Sequence, residues 1–404
     1  MRRWKIAVVL MVSLGTLGGS GWTAGAAGAK GDTEDARASI VGGKTASISS
    51  YPWLAFISYD GPVEEFGCTG TVVAPRLILT AGHCVLTGTG KVAMASNFAV
   101  LTGTGDLREA APERVSAVSQ VLVFPGYQPA RALNDAALLV LAAPVAAPAL
   151  PLASAADEAL LAGGTPIAIA GWGLTRFTPP RVPAILQEGQ TTVQSAQFCQ
   201  RKLRRVLPVY SPASQLCVRS QVGPGASLCD GDSGGPGIAQ RSDGSPVQIG
   251  IVSLKAVLDC DPGTPQVLAR ADVVSPWVGA WIAAIEQGAP APAVVIPDVV
   301  LPPVTRSDAE IIAWIGLEAD FGNRFVRGRY HQIACVRIDR EKVKCAVQWL
   351  RGVHLYRGGI TVYTALPREG TIYNFRYKIR RFNVNCWVAN LHPIQACNPR
   401  LFRR

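Results

Sequence analysis

The sequence predicts an all-β chain in two parts, a large β domain followed by a small β-rich domain of α+β type. Three observations carry that expectation. Short runs of β-branched and apolar residues are bounded by turn formers, as in residues 71–79, Thr-Val-Val-Ala-Pro-Arg-Leu-Ile-Leu, which read as two short strands around a turn. From Gln287 to Val304 proline is dense enough for an extended, semi-rigid spacer. Beyond it the composition changes: residues 305–404 hold 18 of the 39 Lys+Arg and 7 of the 28 Asp+Glu, so the whole net charge of +11 sits on the last quarter. At 404 residues the chain is long enough for a large core and an appendage.

Taken in order, the chain opens with a basic Met1–Lys5, an apolar run from Ile6 to Leu17, and small residues ending in Ala27-Gly28-Ala29. That pattern is expected for a signal peptide over 1–29, and its apolar core is too short for a membrane span. No other stretch could cross a bilayer, so the mature protein is expected to be secreted, without a transmembrane segment. Residues 30–39 then form a short polar pro-segment. The main domain is assigned to 40–286, the Pro/Ala-rich linker to 287–304, and a basic accessory domain with four cysteines to 305–404. Within the last, Ser307–Asp320 reads as a capped helix, followed by strand-like runs at 333–338, 343–350, 354–365 and 373–379.

The most telling motif is Gly231-Asp232-Ser233-Gly234-Gly235-Pro236. A serine flanked by glycines on a tight turn exposes its hydroxyl beside uncommitted backbone N–H groups, which is what acyl transfer requires. Such a serine needs a base, and the base needs a carboxylate to orient it. His83, in Thr80-Ala81-Gly82-His83-Cys84, is the only histidine before residue 331. Asp135 stands before the apolar run 136–141, a position awkward for a carboxylate unless it is hydrogen-bonded. The order is His, Asp, Ser.

On these motifs residues 40–286 resemble the chymotrypsin/trypsin-like serine endopeptidases. Ile40-Val41-Gly42-Gly43 is similar to the family's mature N-terminus, Ala170-Gly171-Trp172-Gly173 and Gly250-Ile251-Val252-Ser253 match further segments, and Ser275–Ile285 resembles its closing helix. The resemblance implies a double six-stranded antiparallel β-barrel with a C-terminal helix. It also implies roles: Ser233 as nucleophile, His83 as proton shuttle, Asp135 as orienting carboxylate, and the N–H groups of Gly231 and Ser233 as oxyanion hole. Asp232 would pair with the amine of Ile40 freed when the pro-segment is cut. Ser39, however, stands where such activation sites often carry Arg or Lys, so the activating protease is left open.

The same resemblance makes Ser227 the floor of the primary specificity pocket and puts Ser253 on the cleft wall. Lys255 and Gln266 fall where the pocket walls often have glycine. Two long side chains would narrow the pocket, so cleavage is expected after small, apolar or acidic residues, not after Arg or Lys. Three family disulfides are implied, Cys68–Cys84, Cys199–Cys217 and Cys229–Cys260. The remaining Cys335, Cys345, Cys386 and Cys397 allow three pairings, of which the local ones, Cys335–Cys345 and Cys386–Cys397, are favoured over zinc binding. No metal or cofactor is expected.

No family is recognised in the C-terminal domain. A basic sheet with exposed aromatics suits an anionic cell-surface polymer, with no nucleic acid expected for a secreted chain; a merely solubilising surface is the alternative. The expected function is a secreted serine endopeptidase, made as a zymogen, acting on proteins or peptides. Two other readings stay open: a catalytically silent binding protein on a protease scaffold, and an esterase using the same acyl-enzyme chemistry.

Overall fold

The computed structural model describes residue 40 and residues 42–61, 65–87, 90–175, 182–203, 210–220, 226–255, 260, 263–295, 303–352, 354–364 and 373–383. The expected signal peptide and pro-segment, part of the proline-rich linker, and Cys386 and Cys397 lie outside them.

Strands β1 (Lys44–Thr45), β2 (Leu54–Asp60), β3 (Glu65–Ala74), β4 (Leu77–Thr80), β5 (Phe98–Thr102), β6 (Val115–Val123) and β7 (Ala137–Leu141) come first. Six of them close into a barrel in the order β2-β3-β4-β7-β6-β5. The turn at Pro75-Arg76 separates β3 from β4, since proline cannot donate to a ladder and ends the strand there. All residues of β4 and β7 are buried, so both are continuous apolar runs. Their antiparallel register sets Thr80 opposite Ala137. The segment leaving β4 and the segment entering β7 therefore meet at one end of the barrel, which brings His83 to Asp135.

The second set comprises β8 (Pro166–Gly171), β9 (Gln187–Val193), β10 (Gln215–Arg219), β11 (Pro236–Gln240), β12 (Pro246–Lys255) and β13 (Gln266–Arg270). They run β9-β10-β13-β12-β11-β8 and close through the β8–β9 pairing, with β1 added alongside β9. Helix α1 (Ala196–Leu203) precedes β10, and α2 (Ala271–Gln287) follows β13. Val274, Val278 and Trp281 of α2 join the first barrel's core, and Glu286 accepts the Arg76 N–H at 3.1 Å. Disulfides join Cys68 to Cys84, Cys199 to Cys217 and Cys229 to Cys260. The chain thus has the double-barrel, all-β fold that the resemblance implies.

A half-buried ion pair braces the second barrel. Asp157, at the start of a short helical turn over 155–161, takes Arg241 Nε on Oδ1 at 2.6 Å and Nη2 on Oδ2 at 3.1 Å. The Arg241 guanidinium holds the Asp157 carboxyl down to about 2. A depressed carboxylate stabilises the fold above its ordinary value near 4 and loses that contribution as pH falls towards about 2. Asp157→Asn should cost on the order of 1 kcal/mol at pH 6 and nothing near pH 2. Urea unfolding of both proteins across that range checks it; a gap independent of pH would refute the assignment.

In the C-terminal region α3 (Arg306–Phe321) and α4 (Asn323–Val326) precede β14 (Arg329–Arg337), β15 (Lys342–Arg351), β16 (His354–Thr364) and β17 (Tyr373–Asn383). The strands form an antiparallel meander, β14-β15-β16-β17. Thr305 and Asp308 make a reciprocal capping box that starts α3. Ala309, Ala313 and Leu317 recur at the helical period and pack against Val343, Cys345, Val347 and Trp349, which alternate along β15. Trp349 stacks on Tyr356 with ring centroids 4.8 Å apart and donates its Nε1–H to the Arg324 carbonyl. Cys335 and Cys345 sit opposite one another in the β14–β15 ladder and are bonded. One helix on one face of a disulfide-bonded sheet is the α+β arrangement the sequence predicts.

Candidate active site

His83 lies in a single turn of 3-10 helix just beyond β4 and is 1 % exposed. Its Nδ1 is 2.7 Å from Oδ2 of Asp135, and its backbone N–H donates to Oδ1 at 2.9 Å. The Ser253 hydroxyl, on β12, donates to the same Oδ2 at 2.6 Å. Burial pushes the Asp135 carboxyl up, but the His83 ring and the hydrogen bonds from His83 and Ser253 outweigh it and hold it below the ordinary carboxylate range. The carboxylate is therefore ionised at neutral pH and is placed to hold a ring proton on Nδ1. Nε2 of His83 is buried and has no hydrogen-bond partner among the described residues. That is the atom which would take a proton.

The serine loop packs directly against this segment. The Ser233 carbonyl accepts the Thr69 N–H at 2.8 Å, and Sγ of Cys84, the residue after His83, lies 3.7 Å from the same oxygen. Thr69 Oγ1 donates to the Gly231 carbonyl at 2.9 Å. Two glycines are required here for different reasons. Gly231 has φ +99°, and Gly234, at φ +82°, stands so close that a Cβ would meet Thr80 Oγ1 at 2.0 Å. Within the loop the N–H of Asp232 donates to Cys229, that of Gly234 to Val252 and that of Gly235 to Asp232. The N–H groups of Gly231 and Ser233 make no such bond among the described residues. Two uncommitted donors thus flank Asp232, in the same loop as a hydroxyl whose attack on a carbonyl would create an oxyanion.

Asp232 is 1 % exposed, and its carboxylate accepts the N–H of Gly173 at 2.8 Å and of Cys229 at 2.9 Å. Ile40 is fully buried in the second barrel's core with Ala226 and Leu228. The residue expected to become the N-terminus therefore packs against the segment that leads into the serine loop.

Ser227 and Gln266 are joined. The Gln266 Nε2 donates to Ser227 Oγ at 2.5 Å and to the Leu228 carbonyl at 2.7 Å, and the Leu228 N–H donates to Oε1 at 2.9 Å. Gln266 is 3 % exposed and Ser227, the residue expected at the pocket floor, is 1 % exposed. Lys255 is the Cα partner of Gln266 in the β12–β13 ladder; its side chain lies outside the described atoms.

Three contributions are absent from the sequence reading. Ser253 bonds Asp135 itself, where the motif suggested only a cleft wall. Tyr127 is buried against Gly82, where a Cβ would meet its ring at 2.7 Å. Burial, then the charge of Asp135, raise its hydroxyl well above the ordinary value, so it stays neutral beside the carboxylate. Thr80 donates its hydroxyl to the Thr69 carbonyl at 3.0 Å, tying the histidine segment to the strand beneath the serine loop. The close grouping of Cys68, His83 and Cys84 offers no thiolates, because both sulfurs are in a disulfide.

Comparison with known proteins agrees with this geometry. A family model described as Trypsin matches residues 40–278, more than half of the chain. The chain is 32 % identical over 240 residues to "Trypsin" of Saccharopolyspora erythraea, covering 57 % of this chain and 92 % of that protein. It is 32 % identical over 252 residues to "Serine protease 56" of Mus musculus, covering 61 % of this chain and 39 % of the relative. "Cathepsin G" of Mus musculus is 30 % identical over 250 residues, 60 % of this chain and 85 % of that protein. The match thus spans about two fifths of the mouse Serine protease 56 and nearly all of the bacterial trypsin.

Proposed function

The chain belongs to the trypsin family, and from that premise we propose that it is a secreted serine endopeptidase made as a zymogen. The observation that carries the reading is the His83–Asp135 pair at 2.7 Å with Nε2 left unpartnered, beside a loop whose Gly231 and Ser233 N–H groups are uncommitted. Ser233 Oγ attacks the scissile carbonyl carbon while Nε2 of His83 takes its proton. The carbonyl electrons move onto oxygen, where the two N–H groups receive the charge. His83 then gives its proton to the leaving amine, and water hydrolyses the acyl-enzyme by the same steps in reverse. Asp135, held by Ser253 and the His83 N–H, keeps the imidazole in the tautomer that can accept the serine proton.

Activation follows from cutting between Ser39 and Ile40. The freed amine of Ile40 pairs with Asp232 and fixes the loop that carries the oxyanion donors. The burial of both Ile40 and Asp232 supports this reading. Secretion is supported by the disulfides, which persist in oxidising compartments. No helix of the described residues is long and apolar enough to cross a membrane. The Gln266 amide over Ser227 favours a small or apolar residue before the scissile bond, with an acidic one accepted if Lys255 supplies its charge. The basic C-terminal domain holds the enzyme on an anionic cell-surface polymer.

Labelling with a fluorophosphonate probe, read by intact mass, tests the core of the proposal. Protein beginning at Ile40 should gain one adduct, on Ser233, and protein retaining Ser39 should gain none. Equal labelling of both forms would refute activation by the new N-terminus. Folded protein that labels in neither form would favour the silent binding scaffold.

A further inference from the structure

The C-terminal sheet has two unlike faces. One packs on α3; the other bears the side chains that alternate outward. The register aligns those outward positions in rows across three strands: Lys342 with Tyr363, Lys344 with Thr361 and Arg376, Ala346 with Gly359 and Lys378, and Gln348 with Arg357 and Arg380. Lys344, Arg376, Lys378 and Arg380 are exposed and Arg357 is half-buried. No acidic residue falls on an outward position of β15, β16 or β17. Among the described residues no salt bridge reaches Lys344, Arg376, Lys378 or Arg380. Arg376 lies over the Tyr363 ring at 5.8 Å, which fixes both on this face.

The middle row is small. Ala334 of β14, Ala346 and Gly359 carry no side chain beyond Cβ, and a Cβ built on Gly359 would meet only the Cys345 carbonyl at 3.7 Å. Beside it Gln348 and Gln332 join their amides across β14 and β15. The result is a shallow polar trough with cations on both sides. Along the edge strand β17, Arg376, Lys378 and Arg380 repeat every second residue, about 6.7 Å apart.

We propose that this face binds a linear polyphosphodiester lying across the strands, with its neutral linking carbons in the Ala334–Ala346–Gly359 trough and its phosphates on Lys344 and Arg376 to one side, Arg380 to the other and Lys378 at the end. The inference rests on the reading that the C-terminal domain binds an anionic polymer, and it names the face and the polymer. Guanidinium groups pair phosphate oxygens two at a time, and a row of like charge gains when a polyanion replaces its counterions. A bilayer is disfavoured on this face. Of the domain's exposed large apolar side chains, Ile311, Trp314, Ile315 and Val326 cluster on α3 and α4, whereas this face carries Val336, opposite Lys344, among its cations. Duplex DNA is disfavoured by the disulfides, which place the domain in an oxidising compartment.

The test uses protein running from Ile40 to Arg404, first labelled at Ser233 with fluorophosphonate to stop self-digestion and to report the catalytic fold. Binding is measured to immobilised poly(glycerol phosphate), to duplex DNA, and to vesicles of equal parts phosphatidylglycerol and phosphatidylcholine. Replacing Lys344, Arg376, Lys378 and Arg380 together by Gln should weaken binding to poly(glycerol phosphate) about 100-fold at physiological salt. A second variant, with Arg306, Arg324, Arg327 and Arg340 replaced by Gln, loses the same charge elsewhere in the domain and should change binding by less than about 3-fold. Equal losses in both variants would overturn the assigned face while leaving polymer binding intact. Retention only on DNA or vesicles would overturn the polymer. No binding to any probe would overturn both the face and the underlying reading, and the extent of labelling reports separately on the protease.

Discussion

Exchange of Asp135 for Asn should lower kcat/KM about 10⁴-fold while leaving the barrels folded. The size of the effect follows from the number of donors aimed at this carboxylate. Oδ2 receives His83 Nδ1 at 2.7 Å and the Ser253 hydroxyl at 2.6 Å, and Oδ1 receives the His83 N–H at 2.9 Å. An asparagine of the same shape keeps one acceptor and turns the other into a donor. Placed at Oδ1, its NH₂ would oppose a backbone N–H that cannot move, inside a site with no exposed surface. It must therefore take the Oδ2 position, where Ser253 can rotate to accept it. The imidazole then has to carry its proton on Nε2 and present Nδ1 as the acceptor. A protonated Nε2 cannot receive the Ser233 proton, so the nucleophile is lost without any loss of packing. Peptide hydrolysis and the rate of fluorophosphonate labelling should fall together, with the thermal midpoint nearly unchanged. A loss smaller than about 10-fold would show that Asp135 does not set the tautomer.

How much of this was legible in the sequence depends on distance along the chain. The two strands around Pro75-Arg76 and the apolar run after Asp135 are local patterns, and the structure has β3, β4 and β7 there. The alternation in β15, with Val343, Cys345, Val347 and Trp349 inward, is equally local, which is why a domain without recognised relatives could still be read as a sheet. The orientation of the 3-10 turn holding His83 was not legible, because the acceptor of the His83 N–H is Asp135, 52 residues away. The Ser253–Asp135 bond spans 118 residues and the Gln266–Ser227 bond 39. Neither leaves a periodic trace, since each depends on which strands become neighbours once both barrels close. A long residue at a pocket wall could be read from the motif alignment; that its amide turns inward and ties down the floor could not. The unequal faces of the C-terminal sheet fall between these cases. Alternation separates Lys344 from Cys345, but only the register puts Lys344 in line with Thr361 and Arg376.

Shortening Gln266 should convert the specificity of the enzyme. With glutamine present, a side chain entering the pocket meets an amide pinned to Ser227 and to both backbone groups of Leu228. Displacing that amide would strand the Leu228 N–H and carbonyl in a buried site, at about 1–3 kcal/mol for each group left unpaired. A large substrate side chain faces this cost before it makes a single contact. Gln266→Gly removes the amide and the two methylene groups that carry it, and leaves Leu228 to be hydrated from the opened pocket. An aromatic ring can then be buried, at about 25 cal/mol per Å² of apolar surface. We expect kcat/KM for substrates with Phe before the scissile bond to rise about 10²-fold to 10³-fold, and that for Ala to fall modestly as its pocket becomes too wide. Gln266→Ala should lie between, because a methyl group occupies part of the same space. The glycine also costs strand stability, on the order of 1 kcal/mol, so Ser233 labelling should be compared first to confirm that each variant is folded. Variants that label normally yet keep the original ranking of Ala over Phe would mean that Gln266 does not set the depth of the pocket. The discrimination would then have to come from Lys255, its Cα partner across the β12–β13 ladder.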